Sequence, residues 1–254
     1  MLIDTHCHLD AAEFDVDRAV VAQRALDAGV GIIVVPAVEY ANFAAVMETC
    51  RHYPQCLPAF GLHPMYISKH KPEHLDALRA LISTHRPLAV GEIGLDYFVP
   101  ELDPATQEFY FVEQLKIAKE FDLPVLLHIR RANDQVLKQL RRFNVKGGIA
   151  HAFNGSLQQA QEFIKLNFKL GFGGAMTYPR ALNLRRLAAA LPPEAIVLET
   201  DAPDIAPVFA HKQRNSPEFL PRIAETLATL RSLDVMEIAA ITSANARQTL
   251  ELKS

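Results

Sequence analysis

The chain has 254 residues, 50% of them hydrophobic and 22% charged, with a formal net charge of −3. That length and apolar content suit one sizeable core of the α/β-barrel size, roughly 250 residues, and exclude a basic coat protein that holds nucleic acid by a global positive field. Three cysteines make no even framework, no basic leader precedes the apolar start, and no apolar run nears the roughly 20 residues that cross a bilayer, so the expectation is a cytoplasmic chain without membrane association.

The opening stretch, "MLIDTHCHLD", is apolar at its start, closed by a polar run, and reads as a strand over residues 2–8. Alternation along a strand puts Asp4, His6 and His8 on one face and Ile3, Thr5 and Cys7 on the other. Two adjacent imidazoles repel when protonated, so the pair points to a cation between them; the plainer reading is two surface histidines on an edge strand. A helix over 17–28 ends at Gly29, a natural C-terminal stop, and strands follow over 31–37 and 57–63, the second closing on "GLHP". A helix over 73–83 leads to a strand over 88–95 with "GEIGLDY", and a helix over 104–120 to a strand over 124–129 in "LLHIR". The sixth strand, 147–153, carries "AHAF", and Ser156 with Gln159 forms a capping box that opens the next helix. A strand over 168–174, a helix over 183–190 and a strand over 195–201 ending in "ETD" come next. A helix over 218–231 and two shorter ones, begun at Asp234 and near Ser243, close the series. The basic runs "KQLRRFNVK" and "ALNLRRLAA" read as solvated helix faces.

Near-continuous apolar strands alternating with helices indicate a parallel sheet covered on both faces. Eight such units at this length predict an α/β fold, a closed TIM (β/α)8 barrel forming a single domain over 1–254, with extra C-terminal helices. An open doubly wound sheet is the alternative, but no strand is followed by a glycine-rich phosphate-binding pattern. There is no linker, low-complexity tract or internal repeat.

In such barrels the active site lies at the C-terminal strand ends. His6 and His8, His63, Glu92, His128, His151 and Asp201 place His, Glu or Asp there on six of the eight predicted strands, while His52, His70, His74, His85 and His211 fall in helices or loops. Singly, each has a structural reading: a hydrogen-bonded rim histidine, a buried acid satisfied by backbone amides at Glu92, a helix cap at Asp201. Jointly, four imidazoles and two carboxylates at one opening are costly in desolvation and repulsion unless cations neutralise them. The set can hold two divalent ions if one carboxylate bridges, each keeping an open position for water or substrate. Imidazole ligands favour Zn²⁺, Mn²⁺, Co²⁺ or Ni²⁺ over Mg²⁺.

The motifs "DTHCHLD", "GLHP", "GEIGLDY", "HIR", "HAF", "ETDAP" and "RNSPEFL", in this order from residue 2 to about residue 252, resemble those of the TatD family of metal-dependent hydrolases. That family belongs to the amidohydrolase-like TIM barrels, and several members are DNases. The resemblance implies that His6 and His8 hold one metal, His128 and His151 the second, and that Glu92 bridges both. It implies that Asp201 completes the site beside the attacking water, that His63 and Arg130 face the pocket as phosphate contacts, and that Asp4 is no ligand but a supporting acceptor for a histidine. The family often has Cys where this chain has Ala152 and Ser where it has Ala202, which leaves the ligands intact and bears on pocket polarity.

The expectation is therefore a metal-dependent phosphodiesterase or deoxyribonuclease with two divalent ions (Zn, Mn or Mg), acting on DNA ends or single-stranded DNA and needing no obligate protein partner. Phe153, Tyr97, Phe98 and Tyr178 lie in strand-end loops, where they either stack on bases or simply cover the barrel top. Two other readings stand beside it. One is a two-metal hydrolase of small esters, lactones, amides or phosphotriesters, and the other a non-catalytic metal-binding protein.

Overall fold

Eight parallel strands form in the computed structural model, which describes residues 1–252. They are β1 (Leu2–Asp4), β2 (Val30–Pro36), β3 (Cys56–Ala59), β4 (Val90–Asp96), β5 (Val125–Arg130), β6 (Gly148–Ala150), β7 (Phe168–Phe172) and β8 (Ile196–Leu198). Each pairs with the next in sequence, in sheets β1-β2-β3 and β4-β5-β6-β7-β8. A parallel bridge between Phe60 and Val90 joins the two sheets. The seam between first and last strands closes where the Thr5 N–H donates to Leu198 O (3.1 Å) and the Asp201 N–H to His6 O (2.8 Å). The result is the expected closed TIM barrel.

The helices α1 (Arg18–Asp27), α2 (Phe43–His52), α3 (Pro72–His85), α4 (Pro104–Glu120), α5 (Asn133–Phe143), α6 (Leu157–Lys165), α7 (Leu182–Ala190) and α8 (Leu220–Arg231) each follow the strand of the same number. Local chemistry sets their starts. The Asp103 carboxylate accepts the Thr106 N–H (2.7 Å) with Pro104 in the first turn of α4, and the Ser156 hydroxyl accepts the Gln159 N–H (3.1 Å) in the capping box of α6. On α5 the residues Val136, Leu137 and Leu140 are buried while Arg141 and Arg142 are exposed, as the basic run suggested.

One apolar layer lies between strands and helices. A second fills the lower barrel, where Ile3, Val34, Ala59, Leu126, Ile149 and Val197 meet Ala246 and Leu250 of a ninth helix, α9 (Val235–Leu250). Ser243 Oγ donates to Met1 O (3.0 Å), and Asn245 Nδ2 donates to Pro193 O and Ile196 O (both 2.8 Å), so α9 lies across the N-terminal ends of the strands as a floor. The sequence suggested two short helices here. There is one, because small residues continue the turn and Thr242 bonds back to Ile238 O (2.8 Å) without breaking it. Among the described residues no helix is long and apolar enough to cross a membrane.

The strands are shorter than expected. The first stops at Asp4 and the chain bends at Thr5, so His6 and His8 follow the strand instead of extending it. Ile3 faces the barrel interior, which puts the neighbouring Asp4 on the opposite face. The expected alignment of Asp4 with His6 and His8 is thus broken by the bend. Elsewhere the two-residue period carries directly into the site. Leu126, Ile149 and Val197 of the inner layer are followed two positions on by His128, His151 and Glu199.

Candidate metal centre

Glu92 is the hub of the upper barrel. It lies on β4, where a register shift between Val90 and Ile93 and a cis Gly91–Glu92 peptide bring its side chain inward. The carboxylate is 1% exposed, and its two oxygens serve different groups. Oε2 is 3.0 Å from His6 Nε2 and 3.5 Å from His8 Nε2, whereas Oε1 is 3.1 Å from His63 Nε2, 3.1 Å from His128 Nδ1 and 3.5 Å from His151 Nε2. Asp201 Oδ1 joins the first group, 3.7 Å from His6 Nε2 and 3.8 Å from His8 Nε2. Three overlapping clusters result: His6, Glu92 and His151; His6, His8 and Asp201; and His63, Glu92 and His128.

The donor chemistry fits cations. His6 Nε2 and His8 Nε2 face each other at 3.3 Å. His8 Nδ1 is 3.2 Å from Pro36 O, which can only accept, so Nδ1 carries the proton and Nε2 presents its lone pair. Four ligand atoms held about 2.1 Å from a common tetrahedral centre would stand roughly 3.4 Å apart, close to the 3.0–3.8 Å spacings among His6, His8, Glu92 and Asp201.

Electrostatics lead to the same conclusion. Burial alone would raise the Glu92 pKa, but the imidazoles of His63, His6 and His151 and the hydrogen bond with His128 outweigh it and hold the carboxyl well below its usual range. His6 and His63, with no water to stabilise a charge, are pushed down by burial to about 3 and about 4. The balancing positive charge falls on His151 and His128. Burial opposes charging both rings, yet Asp201, Glu199 and Glu92 drive His151 up to about 10, and hydrogen bonds with Asp96 and Glu92 raise His128. Asp201 is pushed up to about 6, chiefly by burial, against the pull of His151 and His8. Divalent ions would meet the demand that protons otherwise meet.

His63 differs from the other imidazoles. Its Nδ1 accepts the backbone N–H of Met65 (3.1 Å), so the proton sits on Nε2 and points at Glu92 Oε1. In that tautomer His63 donates and does not ligate. Arg130 ends β5 on the exposed rim, its guanidinium 3.6 Å above the Phe98 ring, with Arg131 4.6 Å from the same ring. Asp4 is buried and outside the cluster. Its carboxylate accepts the Thr200 hydroxyl (2.6 Å), the Thr200 N–H (2.9 Å) and the backbone N–H of His6 (3.3 Å), so it steadies the main chain at His6 and reaches no imidazole. Burial pushes it up to about 8. Phe153 is a core residue, 2% exposed and edge-on to Phe163, and is not available to stack on a base.

Two residues of the site escaped the sequence reading. Asp96 Oδ2 is 3.0 Å from His128 Nε2, and Glu199 Oε1 is 3.4 Å from His151 Nδ1. Each acid braces a ring from behind and assigns the proton to the nitrogen facing it, leaving the other directed at Glu92. The signal was present: Asp96 follows Glu92 by four residues and Glu199 precedes Asp201 by two, the same-face spacing of a strand. β7 supplies no reactive side chain but supplies room. A Cβ on Gly171 would collide with the Glu199 carboxylate. Asp201 and Ala152 both adopt left-handed backbone, at φ 58° and 43°. Asn215, from "RNSPEFL", fixes the Asp201 loop by donating to Thr200 O and Asp204 O (both 2.7 Å).

Comparison with known proteins agrees with this architecture. The family described as "TatD related DNase" matches residues 3–251. The metal-dependent hydrolase YjjV of Escherichia coli is 44% identical over 241 residues, covering 93% of each chain. The 3'-5' ssDNA/RNA exonuclease TatD of Salmonella typhimurium is 34% identical over 258 residues, covering 99% of each. The crystal structure of the E. coli YjjV protein, a TatD homologue, superposes with a TM-score of 0.95 at 41% identity, over 99% of this chain and 98% of that one. With a family match spanning nearly every described residue and a barrel mouth lined by the acids and imidazoles of that family's motifs, this chain belongs to the TatD family of metal-dependent hydrolases.

Proposed function

We propose that the chain is a phosphodiesterase that removes nucleotides from the ends of single-stranded DNA. It works with two divalent ions, Zn²⁺, Mn²⁺ or Mg²⁺, one held by His6, His8, Glu92 and Asp201 and the other by His128, His151 and Glu92. The observation that carries this reading is the division of the buried Glu92 carboxylate, one oxygen toward His6 and His8 and the other toward His128 and His151. The exonuclease names of relatives such as the Salmonella TatD protein support nucleic acid as the substrate.

When bound, the ions supply Lewis acidity and a water of lowered pKa. The chain's own residues do the rest. Asp201, 13% exposed at the open side of the cluster, holds the attacking water and takes its proton. The Nε2–H of His63 and the guanidinium of Arg130, which has no carboxylate partner among the described residues, receive the phosphoryl oxygens as charge grows on them. Asp96 and Glu199 keep His128 and His151 aimed. The chain acts as one catalytic domain over residues 1–254 with no obligate protein partner, and its free cysteines fit a reducing cytoplasm.

The test is hydrolysis by metal-stripped protein reloaded with Mg²⁺, Mn²⁺ or Zn²⁺, against single-stranded DNA and a panel of carboxylic and phosphate esters, with His6→Ala as control. Metal-dependent nucleotide release that the variant loses supports the reading. Cleavage of small esters alone retains the hydrolase and removes DNA as the substrate.

A further inference from the structure

Beside the metal centre lies an open cavity of about 770 Å³, within the size range of small-molecule sites. Its walls come from the loops after β7 and β8, on the same barrel mouth, and one wall is the segment Pro203–Ala206 that follows Asp201 directly. The loops are tied together. The Tyr178 hydroxyl donates to Ala206 O (3.0 Å) and lies 3.1 Å from His211 Nδ1, the Asp204 N–H donates to Asp201 O (2.9 Å), and the Val208 N–H donates to Thr177 Oγ1 (2.7 Å). The cavity is therefore built before any ligand arrives.

Its lining suits a nucleotide. Arg180 and Lys212 are exposed cations with no carboxylate partner among the described residues, and Asp204 is the single acid in the wall, so the lining is net positive in a chain of net charge −3. The aromatic faces of Tyr178 and His211 stand edge to face at 5.9 Å, with the Arg180 guanidinium 5.6 Å from the Tyr178 ring. Cations that track a phosphate backbone beside rings that take a base are the two components of single-strand binding.

We infer that this cavity is a second nucleotide subsite, in which Arg180 and Lys212 hold the backbone phosphate next to the scissile one and Tyr178 with His211 packs against its base. This rests on the nuclease reading and specifies it: the substrate is a polynucleotide of at least two residues, gripped beyond the bond that is cut.

The experiment compares the wild type with Arg180→Ala/Lys212→Ala, and with Arg180→Lys as the charge-conserving control, on a short single-stranded oligonucleotide and on bis(4-nitrophenyl) phosphate. Binding of the labelled oligonucleotide is followed by anisotropy in the non-cleaving Asp201→Asn background across a salt series. The expected result is a fall of about tenfold or more in the ratio of oligonucleotide to small-diester kcat/KM, and a log–log salt dependence of binding shallower by about 1.4, or 0.7 for each lost phosphate contact. Arg180→Lys keeps the slope. If the wild type degrades the oligonucleotide but ratio and slope stay put in the double variant, the subsite is wrong and the nuclease reading stands. If the wild type cleaves only small esters, both fall together.

Discussion

His151 stands between two buried acids, its Nδ1 3.4 Å from Glu199 Oε1 and its Nε2 3.5 Å from Glu92 Oε1. The same Glu199 oxygen accepts the N–H of Ala152 (2.5 Å), so one carboxylate sets both the ring and the backbone of the turn that carries it. Glu199→Gln keeps the shape and removes the charge. It should lower metal affinity and kcat by about 10–100-fold, as losses of such supporting acids do. Metal titration and steady-state kinetics check this, and Gly171→Ala should reproduce it by pushing a methyl group into the Glu199 carboxylate.

Asp201→Asn should abolish turnover, with a loss on the order of 10²–10⁴ in kcat, while circular dichroism stays native and at least part of the metal is retained. Wild-type rates in this variant would remove the proton-accepting role of Asp201.

Because the Nδ1 of His63 is occupied by the Met65 N–H, His63→Ala should leave the number of bound metals unchanged and reduce turnover. His6→Ala should lower metal content itself. Elemental analysis of the two purified variants separates the roles, and a metal lost with His63 would overturn the tautomer assignment.

Much of this was legible in the sequence. All eight strands were, because a buried parallel strand is a short apolar run between turn signals, and so was the rim position of six of them. What was lost is instructive. Asp4 matched the spacing of His6 and His8 but belongs to another face, since no periodicity announces the bend at Thr5. Asp96 and Glu199 were passed over because an acid beside a ligand looks like the ligand's neighbour until the partner ring, 32 or 48 residues away, is brought to it. Arg130 obeyed the two-residue period after His128, yet at the exposed strand end its guanidinium settles on Phe98.

The thiols give a prediction of another kind. Burial pushes Cys50 up to about 12 and raises Cys7 and Cys56 further still. A raised thiol pKa depletes the reactive thiolate, so at pH 8 Cys50 should alkylate about 10³-fold more slowly than a free cysteine of ordinary pKa. Iodoacetamide labelling followed by mass spectrometry should find the native chain unmodified and all three positions labelled once it is unfolded.

Leu250, 2% exposed in the floor of the barrel, should be costly to truncate: Leu250→Ala removes about 2–5 kcal/mol, measured by denaturant unfolding.

That floor has a consequence in time as well as in space. His6 and His8 leave the ribosome early, Asp201 late, and the turn of α9 that meets Ile3 beneath them later still. A nascent chain can fold its early βα units, but it holds only fragments of the metal centre until residues near 201 emerge, and it lacks the seal until Leu250 does. An unfinished copy, or one cut short by a premature stop codon, is thus a harmless copy: the hydrolytic activity arrives only when both ends of the barrel have met.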